Sequence, residues 1–159
     1  MTERLETMLE NWLPWCDGDL TFRLVQQSDG QYVQDMFDYP LAQGAAVLLM
    51  MKLESSYLNK DGIHFAIENQ NHEMIGFFDI YDIHSCSCEI GYRIRHSFRR
   101  MGYAGSAVCS ILKLLKEYEV KTVYARSEVE NIASHKILYS NGFKMMKAEG
   151  NICYWEVSV

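Results

Sequence analysis

The sequence predicts an α/β protein of the α+β type, with a mixed sheet carrying helices on its faces. Three observations lead there. Strand-like runs follow one another closely between residues 63 and 95, joined by turn residues, which is how antiparallel strands read. A helical segment over 103–118 separates the strand ending at Arg95 from the next one at Thr122, and a helix crossover makes those two strands parallel. The last run, 143–157, reads as a closing hairpin.

In chain order, Leu5, Met8, Leu9, Trp12 and Leu13 recur at helical spacing, so an extension helix within 1–16 is expected to open the chain. Pro14 and the Asp17-Gly18 pair stop it. Residues 20–25 alternate like a first strand. Ser28-Asp29 can cap a helix presenting Val33, Met36 and Phe37 on one face. A second helical stretch, 44–57, is dense in Leu and Met and is expected to pack on the core, with a soft wall around a binding pocket as the alternative.

Residues 63–68 and 74–81 form a hairpin about Asn69, Gln70, Asn71 and His72, and a third strand over 89–95 follows the Cys86–Cys88 turn. The helix at 103–118 buries Ala104, Ala107, Val108, Ile111, Leu115 and Tyr118. Residues 122–126 are a strand. Asn131 caps a short last helix that Asn141-Gly142 stops, and the final hairpin turns at Glu149-Gly150-Asn151. No linker or repeat interrupts 1–159, which reads as one domain.

Composition removes several function classes. The chain has 159 residues, a formal net charge of −6 and a pI of about 5.3, which argues against a nucleic-acid binder. An acidic surface is compatible with a cationic amine partner, but plain solubility is the preferred reading of it. The longest apolar stretch, residues 45–51, is too short to span a bilayer, and the first residues lack a signal-peptide core, so a cytoplasmic protein is expected. Cysteines stand at 16, 86, 88, 109 and 153, an odd number that reads as free thiols. Cys86-Ser87-Cys88 has the wrong spacing for a zinc knuckle and no second pair completes it, so no metal is expected.

The chemistry concentrates between Glu89 and Ser106: a strand, then Arg99-Arg100-Met101-Gly102-Tyr103-Ala104-Gly105, then a helix. A glycine-containing turn into a helix leaves backbone N–H groups unpaired and aimed together, and the helix dipole favours an anion there. Arg99 and Arg100 can add ionic contacts, with Arg93, Arg95 and His96 nearby, the alternative being arginines on a solvated strand edge. Neither GxxxxGK[ST] nor GxGxxG is present, so nucleoside-triphosphate and dinucleotide fingerprints are unsupported.

Arg99-x-x-Gly102-x-Ala104 resembles the (Q/R)-x-x-G-x-(G/A) motif with which GNAT acetyltransferases bind acetyl-CoA. Asn131-Ile132-Ala133-Ser134, followed by Gly142-Phe143, is similar to the N-x-x-S…G-F segment of the branch containing ribosomal-protein alanine N-acetyltransferases. Met74-Ile75-Gly76-Phe77 and Glu89-Ile90-Gly91-Tyr92 resemble two strands of that family in the right order. The resemblance covers about residues 20 to 158. It implies about seven mostly antiparallel strands, with a parallel pair that splays to admit pantetheine.

It also implies roles. The N–H groups of Tyr92, Arg93 and Ile94 would hold pantetheine or polarise the thioester carbonyl, and Arg99 through Ser106, with Asn131 and Ser134, would contact the rest of the cosubstrate. Amine acetylation requires a base, for which Glu89 is the leading candidate and Asp79 and Asp82 are alternatives, with His84 behind them. Alternation puts Asp79 and Tyr81 on one face and Asp82 on the other. The family's tyrosine acid has Leu138 in its place, and Tyr139 is displaced by one, about 100° around a helix. Ser134 is therefore preferred as the acid, with helix capping as its alternative role.

The implied partner is a primary amine, either a protein N-terminus or a small molecule, acted on by a monomer or homodimer. A non-catalytic acyl-CoA-binding module is the alternative function.

Overall fold

The computed structural model describes residues 14–159. The apolar pattern of residues 5–13 lies outside the described residues.

Eight strands form one sheet: β1 (Trp15–Asp17), β2 (Leu20–Leu24), β3 (Gly62–Glu68), β4 (Met74–Tyr81), β5 (Ser87–Ile94), β6 (Thr122–Glu128), β7 (Lys144–Glu149) and β8 (Ile152–Ser158). Their order is β1-β2-β3-β4-β5-β6-β8-β7. Every neighbouring pair is antiparallel except β5 and β6, which are parallel. The helices are α1 (Ala45–Leu58), α2 (Tyr103–Glu117) and α3 (Ile132–Ser140), with 3-10 turns at Gln27–Met36 and His96–Phe98. This is the mixed sheet with flanking helices and one parallel pair that the sequence predicts, with one strand more than the seven or so expected.

The extra strand corrects the start of the chain. Trp15 and Cys16 belong to a strand, not to the end of a helix: they pair with Phe22 and Thr21. Asp17-Gly18 is the hairpin turn, with Gly18 at φ 58, and the Trp15 ring lies 5.4 Å from Phe22. The segment after β2 also differs from the α-helix expected, since it winds as 3-10. Asp29 accepts from the Gln26 N–H and pairs through both oxygens with Arg23 of β2. That tether draws the first turn onto the sheet, and Gly30 beside it contributes little helix propensity.

The larger core fills the face under α2 and α3, where Phe22, Phe65, Phe78, Ile90, Val123 and Trp155 are buried. On α2 the fully buried residues are Ala107, Val108, Ser110, Ile111, Leu114 and Leu115, with Ala104 and Tyr118 only half-buried. A smaller core joins Ala66, Met74 and Phe77 on the other face to Val33, Met36 and Met50. Met50 is the single fully buried residue of α1, while Val47, Leu48, Met51 and Leu58 are exposed. The expectation that this stretch packs on the core is thus met by only one side of the helix.

The parallel pair positions the site. Its ladder runs from Ser87↔Thr122 to Ile90↔Ala125 and stops. β5 continues to Ile94 along β4, and β6 continues to Glu128 along β8. The two strands therefore part after Ile90, opening the sheet at the carboxyl ends of its parallel strands, where ligands commonly enter sheets of this kind. Among the described residues, no helix is long and apolar enough to cross a membrane.

Candidate active site

The turn entering α2 places backbone donors at this opening. Arg100 and Gly102 both adopt left-handed backbone, with φ of 62 and 82. The first helical bond runs from the Ser106 N–H to the Gly102 carbonyl. The N–H groups from Arg100 to Gly105 have no acceptor among the described residues. Alternating backbone hand with unpaired donors makes an anion-binding concavity, and the helix dipole adds to it. A β-carbon on Gly102 would have nothing within 4 Å, so the space over the turn is open.

The arginines beside it are committed elsewhere. Arg99 donates from Nε to the Ile94 carbonyl at 3.0 Å, from Nη1 to Asp38 at 3.1 Å and from Nη2 to the Met36 carbonyl at 3.1 Å. Arg95 donates to Asp35 and to the Met74 carbonyl, and the Arg93 guanidinium lies 4.2 Å over the Phe37 ring. These three side chains tie the Gln27–Met36 segment to the end of β5. The Arg99 side chain, expected to meet a phosphate, here bonds to Ile94, Met36 and Asp38. Arg100 remains exposed at the turn.

On the helical face of the opening, Tyr92 stacks on Phe78 at 5.9 Å. Its hydroxyl meets the Ser134 hydroxyl at 2.8 Å. Burial pushes the Tyr92 phenol above its usual range, with the bond to Ser134 acting in the opposite sense. Asn131 caps α3 by accepting the Ser134 N–H at 3.1 Å. Asn141, at the far end of α3, donates to the Gly105 carbonyl at 3.4 Å, which links the last helix to the first turn of α2. Tyr139 is exposed and lies edge-on to Trp155 at 4.8 Å, while Leu138 is fully buried.

The opposite face carries the carboxylates. Glu89 is buried, and its Oε1 accepts from Tyr81 at 2.9 Å and from Arg126 Nε at 2.5 Å. Tyr81 is pushed up to about 12, chiefly by burial and then by the charge of Glu89, so it stays a hydrogen-bond donor. Bonding to Glu89, and then to Tyr81, likewise raises Arg126. Glu89 and Arg126 border a cavity of 460 Å³ lined also by Asp82, Tyr124, Lys147 and Tyr154. Asp82 reaches this side because its φ of 49 breaks the strand alternation, which corrects its expected place on the other face. His84, exposed, meets Asp82 at 3.0 Å.

Asp79 lies on this face with Tyr81, as alternation predicts. Its Oδ1 is 2.6 Å from His64 Nδ1, and His64 Nε2 is 2.9 Å from the Ser56 hydroxyl of α1. Neither His64 nor Ser56 is legible as a site residue from the sequence. His64 alternates with Ala66 along an apolar strand, and only the β3–β4 register brings it opposite Asp79.

The family description "Acetyltransferase (GNAT) domain" matches residues 11–144. No curated protein sequence matches the chain. Among solved structures, a spermidine N-acetyltransferase from Vibrio cholerae in complex with CoA and spermine is 15% identical, with a TM-score of 0.74 over 89% of this chain and 96% of that one. A ribosomal-protein-S5-alanine acetyltransferase from Vibrio fischeri is 14% identical, with a TM-score of 0.69 over 92% and 96%. A ribosomal L7/L12 alpha-N-protein acetyltransferase in complex with coenzyme A is 16% identical, with a TM-score of 0.72 over 90% and 96%. At such identities these likenesses speak for the fold; it is the match of the family description over most of the sequence that makes this chain a member of the GNAT acetyltransferase family.

Proposed function

We propose that the chain transfers an acetyl group from acetyl-CoA to a primary amine, either a protein N-terminus or a small molecule. The observation that carries this reading is the row of unpaired N–H groups from Arg100 to Gly105, set at the gap where β5 leaves β6. That arrangement suits a pyrophosphate on the turn and a thioester-bearing arm in the gap. Met101, Gly102, Tyr103, Ala104 and Gly105 would hold the pyrophosphate by backbone, with Arg100 and Ser106 adding side chains. β5 backbone donors around Tyr92, Arg93 and Ile94, beyond the last ladder pair with β6, would polarise the acetyl carbonyl. Asn131 would contact the cosubstrate from the start of α3.

The amine nitrogen attacks the carbonyl carbon, the C–S bond breaks, and the thiolate needs a proton. Ser134 supplies it from its hydroxyl and is resupplied by the Tyr92 phenol at 2.8 Å, which regains its proton by way of solvent from the one the nitrogen loses as the amide forms. Glu89, Asp79 and Asp82 give the acceptor face negative charge, which attracts a protonated amine and offers it a base. Free thiols at all five cysteines fit a reducing compartment such as the cytoplasm.

A second reading, a CoA-binding module without transfer, draws on one observation: the position of the family's tyrosine acid is held by buried Leu138, and Tyr139 lies on Trp155. Calorimetric titration with acetyl-CoA, followed by thiol release across an amine panel, separates the two. Binding with release on one amine class supports transfer. Binding with no release favours the module, and no binding overturns both.

A further inference from the structure

Resting on the acetyl-transfer reading, we infer that Asp79 takes the proton of the acceptor amine, and that His64 and Ser56 position it for that task. A single row crosses the sheet. His64 on β3 is the ladder partner of Asp79 on β4, and Asp79 is the ladder partner of Gly91 on β5. Gly91 is the first β5 residue past the last pair with β6, Ile90↔Ala125. The row therefore begins at Ser56 on α1 and ends at the gap where the thioester would lie.

Hydrogen bonding orients the carboxylate along that row. An ionised Asp79 can only accept, so His64 Nδ1 carries the proton that faces Oδ1, and in the neutral ring Nε2 is then the acceptor for the Ser56 hydroxyl. Oδ2 is then the oxygen turned toward the gap: a β-carbon built on Gly91 would lie 4.0 Å from Asp79 Oδ2 and 3.8 Å from the Tyr81 hydroxyl. The same β-carbon would meet Tyr81 Cε1 at 3.5 Å, so the Tyr81 ring borders the space between Asp79 and the gap, and glycine at 91 adds no side chain of its own there. His64 is buried, whereas Asp79 keeps 30% of its side chain exposed, so the exposed end of the chain is the carboxylate and not the serine. A serine nucleophile would need the reverse.

Glu89 is placed differently. Its Oε1 is shared by Tyr81 and Arg126, so protonating it would leave the Arg126 guanidinium facing a neutral acid. The charged and titratable groups around the Asp79–His64 pair are these: Tyr81 and Glu89 one row along, Arg126 bonded to Glu89, and Arg93 lying over Phe37. Glu68 on β3 is bonded to Arg23. On α1, Glu54 is bonded to Gln27, and Lys52 lies one turn before Ser56 at an exposed position.

In the step, one proton leaves the ammonium nitrogen for Asp79 Oδ2, the freed lone pair attacks the acetyl carbon, and the C–S bond breaks with its electron pair leaving on sulfur. The second proton that nitrogen loses as the amide forms balances the one that Ser134 gives the thiolate. The His64 Nδ1–H keeps its proton and donates to Oδ1 throughout. After the amide departs, the Asp79 proton returns to solvent and the carboxylate is restored.

The test uses the full chain and an amine that the wild type acetylates. Asp79→Asn is expected to lower kcat/KM about 100-fold at pH values below the amine's pKa. The deficit should shrink as pH rises past that pKa, with the acetyl-CoA Kd unchanged. His64→Ala should shift the acidic limb of the profile, and His64→Asn, which keeps a donor for Oδ1, should restore it. Gly91→Ala makes only ordinary contacts and is expected to fold, lowering kcat without altering acetyl-CoA affinity. It covers the case of an Asp79→Asn protein that does not fold. Wild-type kcat/KM in Asp79→Asn, a deficit constant across pH, or a wild-type kcat in Gly91→Ala overturns the inference alone. A wild-type protein that binds acetyl-CoA but releases no thiol with any amine defeats the transfer reading itself, and this inference with it.

Discussion

The hydroxyls of Tyr92 and Ser134 meet at 2.8 Å, joining β5 to α3 across the mouth of the gap where β5 and β6 part. The pair brings a partly buried phenol, its pKa raised by desolvation, to a serine already fixed by the Asn131 cap. If it returns a proton to the departing thiolate, Tyr92→Phe should lower kcat roughly 10- to 100-fold while leaving the KM for acetyl-CoA nearly unchanged. Ser134→Ala should do the same, and the double variant should be little worse than either single one, because the two act as one unit. Steady-state kinetics on the three variants checks this. Additive losses would separate the two residues into independent roles.

Gly102 tests the anion site. At φ 82 an L-residue is strained by about 1 kcal/mol, but no neighbour obstructs a β-carbon. Gly102→Ala should therefore fold with a modestly lower Tm and weaker acetyl-CoA binding. Gly102→Glu adds a negative charge where the pyrophosphate belongs and should abolish binding in a folded protein. Calorimetry with acetyl-CoA, alongside circular dichroism, reads both.

Arg99 separates anchoring from charge. Its guanidinium holds the carbonyls of Ile94 and Met36 as well as Asp38. Arg99→Ala should cost about 1–3 kcal/mol in stability through two carbonyls left short of a donor. Arg99→Lys should recover only part of that, since donors on one nitrogen cannot reach three acceptors that the guanidinium meets with three separate nitrogens. A bound phosphate held by the Arg99 charge would make acetyl-CoA affinity strongly salt-dependent in the wild type and less so in the variants. The anchoring role predicts the same salt dependence in all three.

Arg99 also marks where sequence reading stops. The motif around it is local, so the turn, the left-handed Gly102, the helix after it and the Asn131 cap could all be read from spacing. The direction of a long side chain depends on what packs beside it, here a 3-10 segment roughly sixty residues earlier. Parallel pairing of β5 and β6 followed from the handedness of a helix crossover. The insertion of β8 between β6 and β7 did not, because a hairpin's local pattern is the same whichever of its strands meets the sheet. Three residues were too few to declare β1, and Asp17-Gly18 serves a hairpin as well as a helix end.

His64 escaped for a more specific reason. Counting back from the turn through Glu68↔Met74 pairs His64 with Phe78, on the core face. The irregularity between Ile67 and Glu68 shifts the register by one and pairs it with Asp79 instead.

Alkaline pH probes the burial of two groups on neighbouring positions of the sheet. Cys88 is pushed up to about 12 by burial alone, from an ordinary thiol value of 9.0. Tyr81 is pushed up to about 12 from 10.0, chiefly by burial and then by Glu89. Both groups keep their protons more tightly folded than unfolded. Their contribution is therefore fully present below pH 9 and declines as pH rises from about 9 toward 12, because the unfolded chain gives up its protons first. Denaturant midpoints should accordingly fall over that window, beginning with the thiol and continuing with the phenol. Cys88→Ala should flatten the early part of the decline, though it lowers stability overall by leaving a small cavity. Tyr81→Phe should flatten the later part. The same burial predicts thiol chemistry: Cys16, Cys86 and Cys109 are exposed and should react with a thiol reagent at pH 8 in the native protein, while Cys88 and Cys153 react only on unfolding. Reaction of all five at one rate in the native protein would contradict the burial of both.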